Sequence, residues 1–498
     1  MSGTAFASRC FSTLLAAVLC CAPPWAGAQT QFDNLPRLGD AGADELAPGA
    51  ERRIGETIVR DLRRQGQIHD DAELTDYLNR FAVDLTSTTP AAGYSFEFFL
   101  VRDNTLNAFA LPGGYIGVHT GLIVAAQSES ELAGVLAHEI GHVTQRHIAR
   151  MLARERQTSV MMLATLVLAA LAARSNPQAT VGIAALGGTM QQQQMLSFSR
   201  DAEREADRIG LDILRQAGFD ANGMVGFFGR LQQAGRLYEN NAPEYLRTHP
   251  MTSARIADIQ SRVGATRYRQ RADSFDFMLA RAKLRALSDT GVDGLRLTRA
   301  LFERQLRERT LDETAGRFGL ATVLAAQRDA AGARKEIAEL RRRLPDGHPF
   351  VERLAAQVEI DAGDAAAAAA LLGDARRRFP SARALIHQQA RVMMMRHEYR
   401  EAVATIEEAL GSNRGDPEMW RLLSEAQGGL GQPARAHRAA AEQFVLLGAL
   451  PAAIEQLRIA QRTGGSRLDF YTASQIDSRL RELEAQWRQE REEQNAGR

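Results

Sequence analysis

The chain has 498 residues, with 61 basic and 60 acidic side chains, 45% hydrophobic residues and three cysteines. So neutral a balance argues against nucleic acid as the main partner. Cys10, Cys20 and Cys21 all lie near the N-terminus, so the rest of the chain has no disulfide framework, cysteine nucleophile or cysteine metal ligand.

Residues 1–28 read as a secretory signal: Arg9, an apolar run from Phe11 to Cys21, then the small residues Ala26-Gly27-Ala28 before Gln29. The run is too short to span a bilayer and ends at Pro23-Pro24. A lipoprotein is not expected, because neither Leu19 nor Cys20 is the small residue that should precede a lipidated cysteine. Cleavage after Ala28 removes one arginine and leaves a neutral exported chain of about 470 residues, enough for two or three domains. Gln29 to Gly49, rich in Gly, Ala and Pro, reads as a flexible leader. Lysine occurs only at Lys283 and Lys335, a compositional bias toward arginine.

Apolar residues at helical spacing predict helices over 51–65 and 72–86. The run Tyr94 to Val101 reads as a strand, followed by strands over Leu106–Ala110 and Tyr115–Val118 joined through Leu111-Pro112-Gly113-Gly114. A substrate chain could add to the edge of such a sheet by backbone hydrogen bonds.

Ser130 to Met151 reads as one helix carrying His138-Glu139-x-x-His142. Residues four apart share a helix face, so both imidazoles can bind one tetrahedral Zn²⁺. Glu139 lies beside them, where it can take a proton from water.

Ser159 to Ala173 is free of charge, and a weaker apolar segment, Val181 to Met190, follows Pro177. At about 15 residues the first run is short for a membrane span, and the stretch 159–190 is expected to form a helical hairpin packed on the domain or touching lipid. The four glutamines from Gln191 suit a wet turn. Ser199 to Gln216 is a further helix, on which Glu203 and Asp207 share one face while Glu205 points roughly the opposite way. After it comes His249-Pro250, then Arg255. The remaining histidines, His147 among them, have no partner at ligand spacing and read as ordinary surface residues.

Beyond about Phe275 the chain is rich in Ala, Leu and Arg. Ala333, Ala368, Ala402 and Ala436 recur at intervals of 35, 34 and 34, with Pro345 and Pro380 closing two units. That period is the tetratricopeptide signature, and it predicts a curved α-solenoid with a concave groove. Phe277–Leu287 and Leu295–Leu306 would form a degenerate first repeat, and Ile476–Glu493 a capping helix. The expected fold is mainly α with a small β-sheet: a metallopeptidase domain of the HExxH, gluzincin type over 50–270, then repeats over 275–498.

Asn107-Ala108-Phe109-Ala110-Leu111-Pro112-Gly113-Gly114, His138-Glu139-x-x-His142 and Glu203-Arg204-Glu205-Ala206-Asp207, in that order, resemble the HtpX/Oma-type zinc metallopeptidases. With the signal and the repeats, the chain is most similar to their periplasmic branch. The resemblance implies one zinc per chain held by His138, His142 and Glu203, with Asp207 behind a ligand. Two histidines and a carboxylate leave the fourth zinc position open, as in catalytic sites. The resemblance also implies that His249 can occupy that position and shut the resting enzyme, and that Arg255 lies near the reaction centre, where it could steady the oxyanion. Implied partners are unfolded or misassembled outer-membrane proteins and the β-barrel assembly machinery. A zinc endopeptidase is therefore expected, with Glu139 as general base. The competing expectation is a chaperone or scaffold whose metal is structural, and an intact Glu139 speaks against it, since a structural site needs ligands and no base.

Overall fold

The computed structural model describes residues 47–154, 199–237, 244–264, 271–464 and 469–496. The signal at 1–28, nearly all of the leader and the apolar stretch 159–190 lie outside the described residues. No helix among the described residues is long and apolar enough to cross a membrane.

Helix α1 (Pro48–Arg64) buries Ile58, Val59 and Leu62. Helix α2 (Ala72–Thr86) starts at Asp71, whose carboxylate accepts from the backbone N–H groups of Glu73 and Leu74, satisfying donors that a helix start leaves orphaned. Its stripe of Leu74, Leu78, Phe81 and Leu85 is buried, each side chain contributing about 1.5–3 kcal/mol.

Three strands follow: β1 (Glu97–Val101), β2 (Ala108–Leu111) and β3 (Tyr115–His119). Their order is β1-β3-β2, with β3 parallel to β1 and antiparallel to β2. The β2–β3 turn passes through Gly113 and Gly114 at φ of 77° and 89°, a region that favours glycine. At Gly113 a Cβ would lie 2.4 Å from the Arg52 Cα. The outer edge of β1 is covered: the Asn79 amide donates to Phe98 O at 2.9 Å and accepts from Phe98 N at 3.1 Å, and His69 N donates to Leu100 O. Among the described residues no strand pairs with the outer edge of β2. His119, expected at the surface, is fully buried, with Nδ1 2.9 Å from the Thr105 hydroxyl.

Short α3 (Thr120–Ala125) leads to α4 (Glu129–Thr144), which Ser128 caps by accepting from Glu131 N. Every residue from Glu129 to His142 is buried, so α4 is enclosed on all sides where its sequence had shown one apolar stripe. The helix expected to run on to Met151 instead breaks at Arg146, whose φ is 51°, and α5 (His147–Arg154) begins there. Helix α6 (Arg200–Gln216) crosses α4 closely because glycines face it: a Cβ on Gly210 would lie 2.9 Å from His138 N, and one on Gly141 3.0 Å from Ala206 O. Helices α7 (Asn222–Leu237), α8 (Glu244–Thr248) and α9 (Ser253–Gly264) close the catalytic half.

From Phe275 on, the described chain is helical throughout. Ala333, Ala368, Ala402 and Ala436 each stand fourth in the second helix of their pair. The first three are fully buried, whereas in Pro433–Leu446 it is Ala434, Ala439 and Ala441 that face inward. That helix carries alanine on several faces, so an alanine register could not identify the inner one. Pro345 and Pro380 follow the caps Leu344 and Phe379, whose ψ values of 73° and 66° reflect the bar that proline places on a helical predecessor.

The expected boundary near 270–275 falls inside one continuous apolar core running from Leu74 to Val358. Lys283, one of two lysines in the chain, is buried at this junction, 2.6 Å from Asp71 Oδ2 and 2.5 Å from Glu73 Oε2. Arg353 reaches Glu73 at 2.7 Å and Arg383 reaches Asp76 at 2.6 Å. The helices Phe275–Ala286, Pro349–Asp361 and Arg383–Met395 thus bear on α2 and its cap. Clefts of about 800 and 630 Å³ lie between the catalytic half and the repeats.

Candidate metal centre

Helix α4 delivers His138, Glu139 and His142, α6 delivers Glu203 and Asp207, and the turn after α8 delivers His249. His138, His142, Glu203 and His249 are all buried, and one potential ligand atom from each lies within 4.8 Å of all the others. His138 Nε2 is 3.0 Å from His142 Nε2 and 3.6 Å from Glu203 Oε2. His142 Nε2 is 3.4 Å, and His249 Nδ1 2.9 Å, from Glu203 Oε1. Three imidazoles and a carboxylate without sulfur fit a tetrahedral Zn²⁺.

The electrostatics favour positive charge at this point. Burial pushes the Glu203 carboxyl up, but the His249 charge and hydrogen bonds from His138, His142 and His249 hold it well below its usual range. Burial works against protonation of His138, yet Asp207 and Glu203 outweigh it and raise the imidazole to about 9.

Glu139 differs from the rest. Both its carboxylate oxygens are buried with no hydrogen-bond partner among the described residues. Burial raises its pKa, against the pull of His249 and His138. His249 Nε2 lies 3.6 Å from its Oε1, too far for a hydrogen bond; a buried carboxylate without hydrogen bonds costs stability, and groups of this kind concentrate at functional sites.

Asp207 Oδ1 lies 3.0 Å from His138 Nδ1, behind the ring. Arg255 grips Asp207 with Nε and Nη2, both at 2.7 Å, while Nη1 donates to Pro250 O at 2.9 Å and lies 2.5 Å from Glu203 Oε2. Its guanidinium is thus engaged by two carboxylates and a carbonyl and is not left for a substrate oxygen.

Two residues of the site escaped the sequence reading. Tyr245 stacks on His249 with centroids 4.6 Å apart, and its buried hydroxyl has no partner among the described residues. Its place four residues before His249 was the available signal. His147, expected at the surface, is 3% exposed and lies against His142. Its spacing gave no signal, because an unbroken helix would have carried it off the ligand face.

A model of peptidase family M48 matches residues 69–263, and a tetratricopeptide-repeat model matches 359–426. The chain is 31% identical over 459 residues to the β-barrel assembly-enhancing protease of Escherichia coli (strain K12), covering 91% of each. The chain belongs to the β-barrel assembly-enhancing protease family. The Yersinia pestis member is also 31% identical, across 95% of this chain and 97% of its own. Mitochondrial metalloendopeptidase OMA1 of Schizosaccharomyces pombe is 33% identical over 187 residues, 37% of this chain and 52% of its own. As a member of this family with a peptidase M48 region, the protein is a metalloendopeptidase with a repeat region behind the catalytic half.

Proposed function

We propose that this protease is zinc-dependent, works in the periplasm after loss of residues 1–28, and acts in assembly and quality control of outer-membrane β-barrel proteins. The observation that carries the chemistry is the buried group His138, His142, Glu203 and His249 with the Glu139 carboxylate beside it, buried and without a hydrogen bond among the described residues. The names of the relatives support the assembly role. Unfolded or misassembled outer-membrane proteins and the β-barrel assembly machinery are the partners, met through the repeats.

In this reading His138, His142 and Glu203 hold one zinc per chain, and His249 fills the fourth position at rest. Bound zinc would polarise the scissile carbonyl and acidify water. Glu139 takes a proton from the attacking water and returns it to the leaving amine as the C–N bond breaks; its raised pKa suits a group that must both accept and release that proton. Asp207 fixes the tautomer of His138. Arg255 holds Asp207 and Glu203 in place, a positioning part that replaces the oxyanion role expected from sequence. The outer edge of β2, which packs beside α4, would take an extended substrate by backbone hydrogen bonds.

Zinc content of the purified protein tests the ligand set. One zinc per chain is expected, with most of it lost in His138→Ala, His142→Ala and Glu203→Ala. Full zinc in the Glu203→Ala protein would overturn the assignment.

A further inference from the structure

Behind His142 stands a buried histidine that the chemistry above leaves unused. The left-handed turn at Arg146 folds α5 back so that His147 Nδ1 lies 2.9 Å from His142 Nδ1, the rings inclined at 73°. On its other side His147 Nε2 is 3.1 Å from Glu205 Oε2, which also accepts from Arg150 Nη2 at 2.8 Å. Nδ1 of His147 is thus turned to the back of the His142 ring and Nε2 to Glu205, so neither nitrogen reaches the point on which the ligand atoms converge.

The hydrogen-bond directions in this chain are fixed by one end. The Nε2 of His142 faces His138 and Glu203. An imidazole that offers its Nε2 lone pair to a cation carries its proton on Nδ1. Two Nδ1 atoms at hydrogen-bond distance share one proton, so His142 donates and His147 accepts. His147 then carries its own proton on Nε2 and donates it to Glu205, whose charge Arg150 steadies.

We infer that His147 is a positioning residue for the metal: it accepts from His142 Nδ1–H, and so sets the tautomer and ring plane in which His142 presents Nε2. The arrangement parallels the one behind His138, where Asp207 is held by Arg255. The two differ in strength. His138 has a carboxylate directly behind it, whereas the charge of Glu205 reaches His142 only through a neutral ring. Removing the partner of a ligand histidine typically costs 10–100-fold in metal affinity.

The inference rests on the metal-site reading above, and the test separates the two. Apparent zinc affinity of the full chain is measured by competition with a chromophoric chelator, alongside the visible spectrum of the Co²⁺-substituted protein. In His147→Asn the amide oxygen can occupy the Nδ1 position and accept from His142. In His147→Gln the amide reaches the Nε2 position instead, keeping Glu205 but removing the acceptor that His147 Nδ1 offers to His142. The Asn variant is expected to stay within about 3-fold of wild type, while Gln and Ala lose about 10–100-fold and change the Co²⁺ spectrum. Unfolding midpoints of the metal-free Asn and Gln proteins are expected to agree. Equal affinities for Asn and Gln, or wild-type affinity in His147→Ala, would overturn the positioning role. If His142→Ala also kept its zinc, the metal-site reading itself would fall.

Discussion

Replacing Lys283 by methionine tests whether the repeats and the catalytic half share one folded core. The ammonium is buried between Asp71 and Glu73 at 2.6 and 2.5 Å, and methionine keeps the stem while removing the cation the two carboxylates share. Burial raises the Asp71 pKa, but Lys283 and Arg353 more than offset it and bring it from 3.8 to about 2. That difference corresponds to about 2 kcal/mol of stability, and breaking a buried pair by removing one partner typically costs about 3–5 kcal/mol. Arg353 still serves Glu73, so the expected loss is about 3 kcal/mol, or about 3–5 °C in the unfolding midpoint of a unit this large. Thermal unfolding at pH 7 measures it, and a further Glu73→Gln change should recover part of the loss. Because the folded pKa of Asp71 is depressed, its contribution is complete above pH 3.8 and disappears as pH falls toward 2. The gap between wild type and variant should narrow in that window. A loss below about 1 kcal/mol, the range of surface pairs, would refute the idea that this junction holds the two halves together.

Three further outcomes are expected. His249→Ala should keep its zinc and raise basal cleavage of an unstructured protein; a closed form favoured by about 2 kcal/mol leaves only a few per cent open, so a rise of about tenfold or more is within reach, and a slower variant at equal zinc occupancy would end the gating idea. Asp207→Asn should weaken zinc about 10–100-fold, read by chelator competition, whereas unchanged affinity would remove Asp207 from behind His138. Gly210→Val should push α6 off α4 at His138 N, lowering stability by about 1–3 kcal/mol and zinc retention with it; a chemical-denaturation curve identical to wild type would show that the close crossing is not needed.

The histidine pair was legible because its spacing is local, four apart on one helix, whereas Glu203, Asp207 and His249 were named through the family resemblance. The repeat period, like the histidine pair, was legible from its spacing. What the sequence hid depends on backbone breaks and on packing between distant segments. His147 reaches His142 only because Arg146 adopts a left-handed conformation, which nothing in Gln145-Arg146-His147 announces. Arg255 seemed free for an oxyanion until Asp207, 48 residues away, was seen to occupy it. Lys283 looked like a relic of arginine bias, and only the contact with Asp71 and Glu73, more than 200 residues away in sequence, reveals its place. The apolar stripe on α4 was real, but α6 and α7 cover its other faces, a layer that periodicity cannot foresee.

The central claim is that Glu139 is the proton-transferring base of a zinc peptidase. It is tested most directly by casein degradation and zinc content measured together on wild type and Glu139→Gln. The account predicts full zinc, an unchanged fold and a loss of proteolysis of at least about 10²-fold in the variant. Cleavage at the wild-type rate by a zinc-loaded Glu139→Gln protein would contradict it.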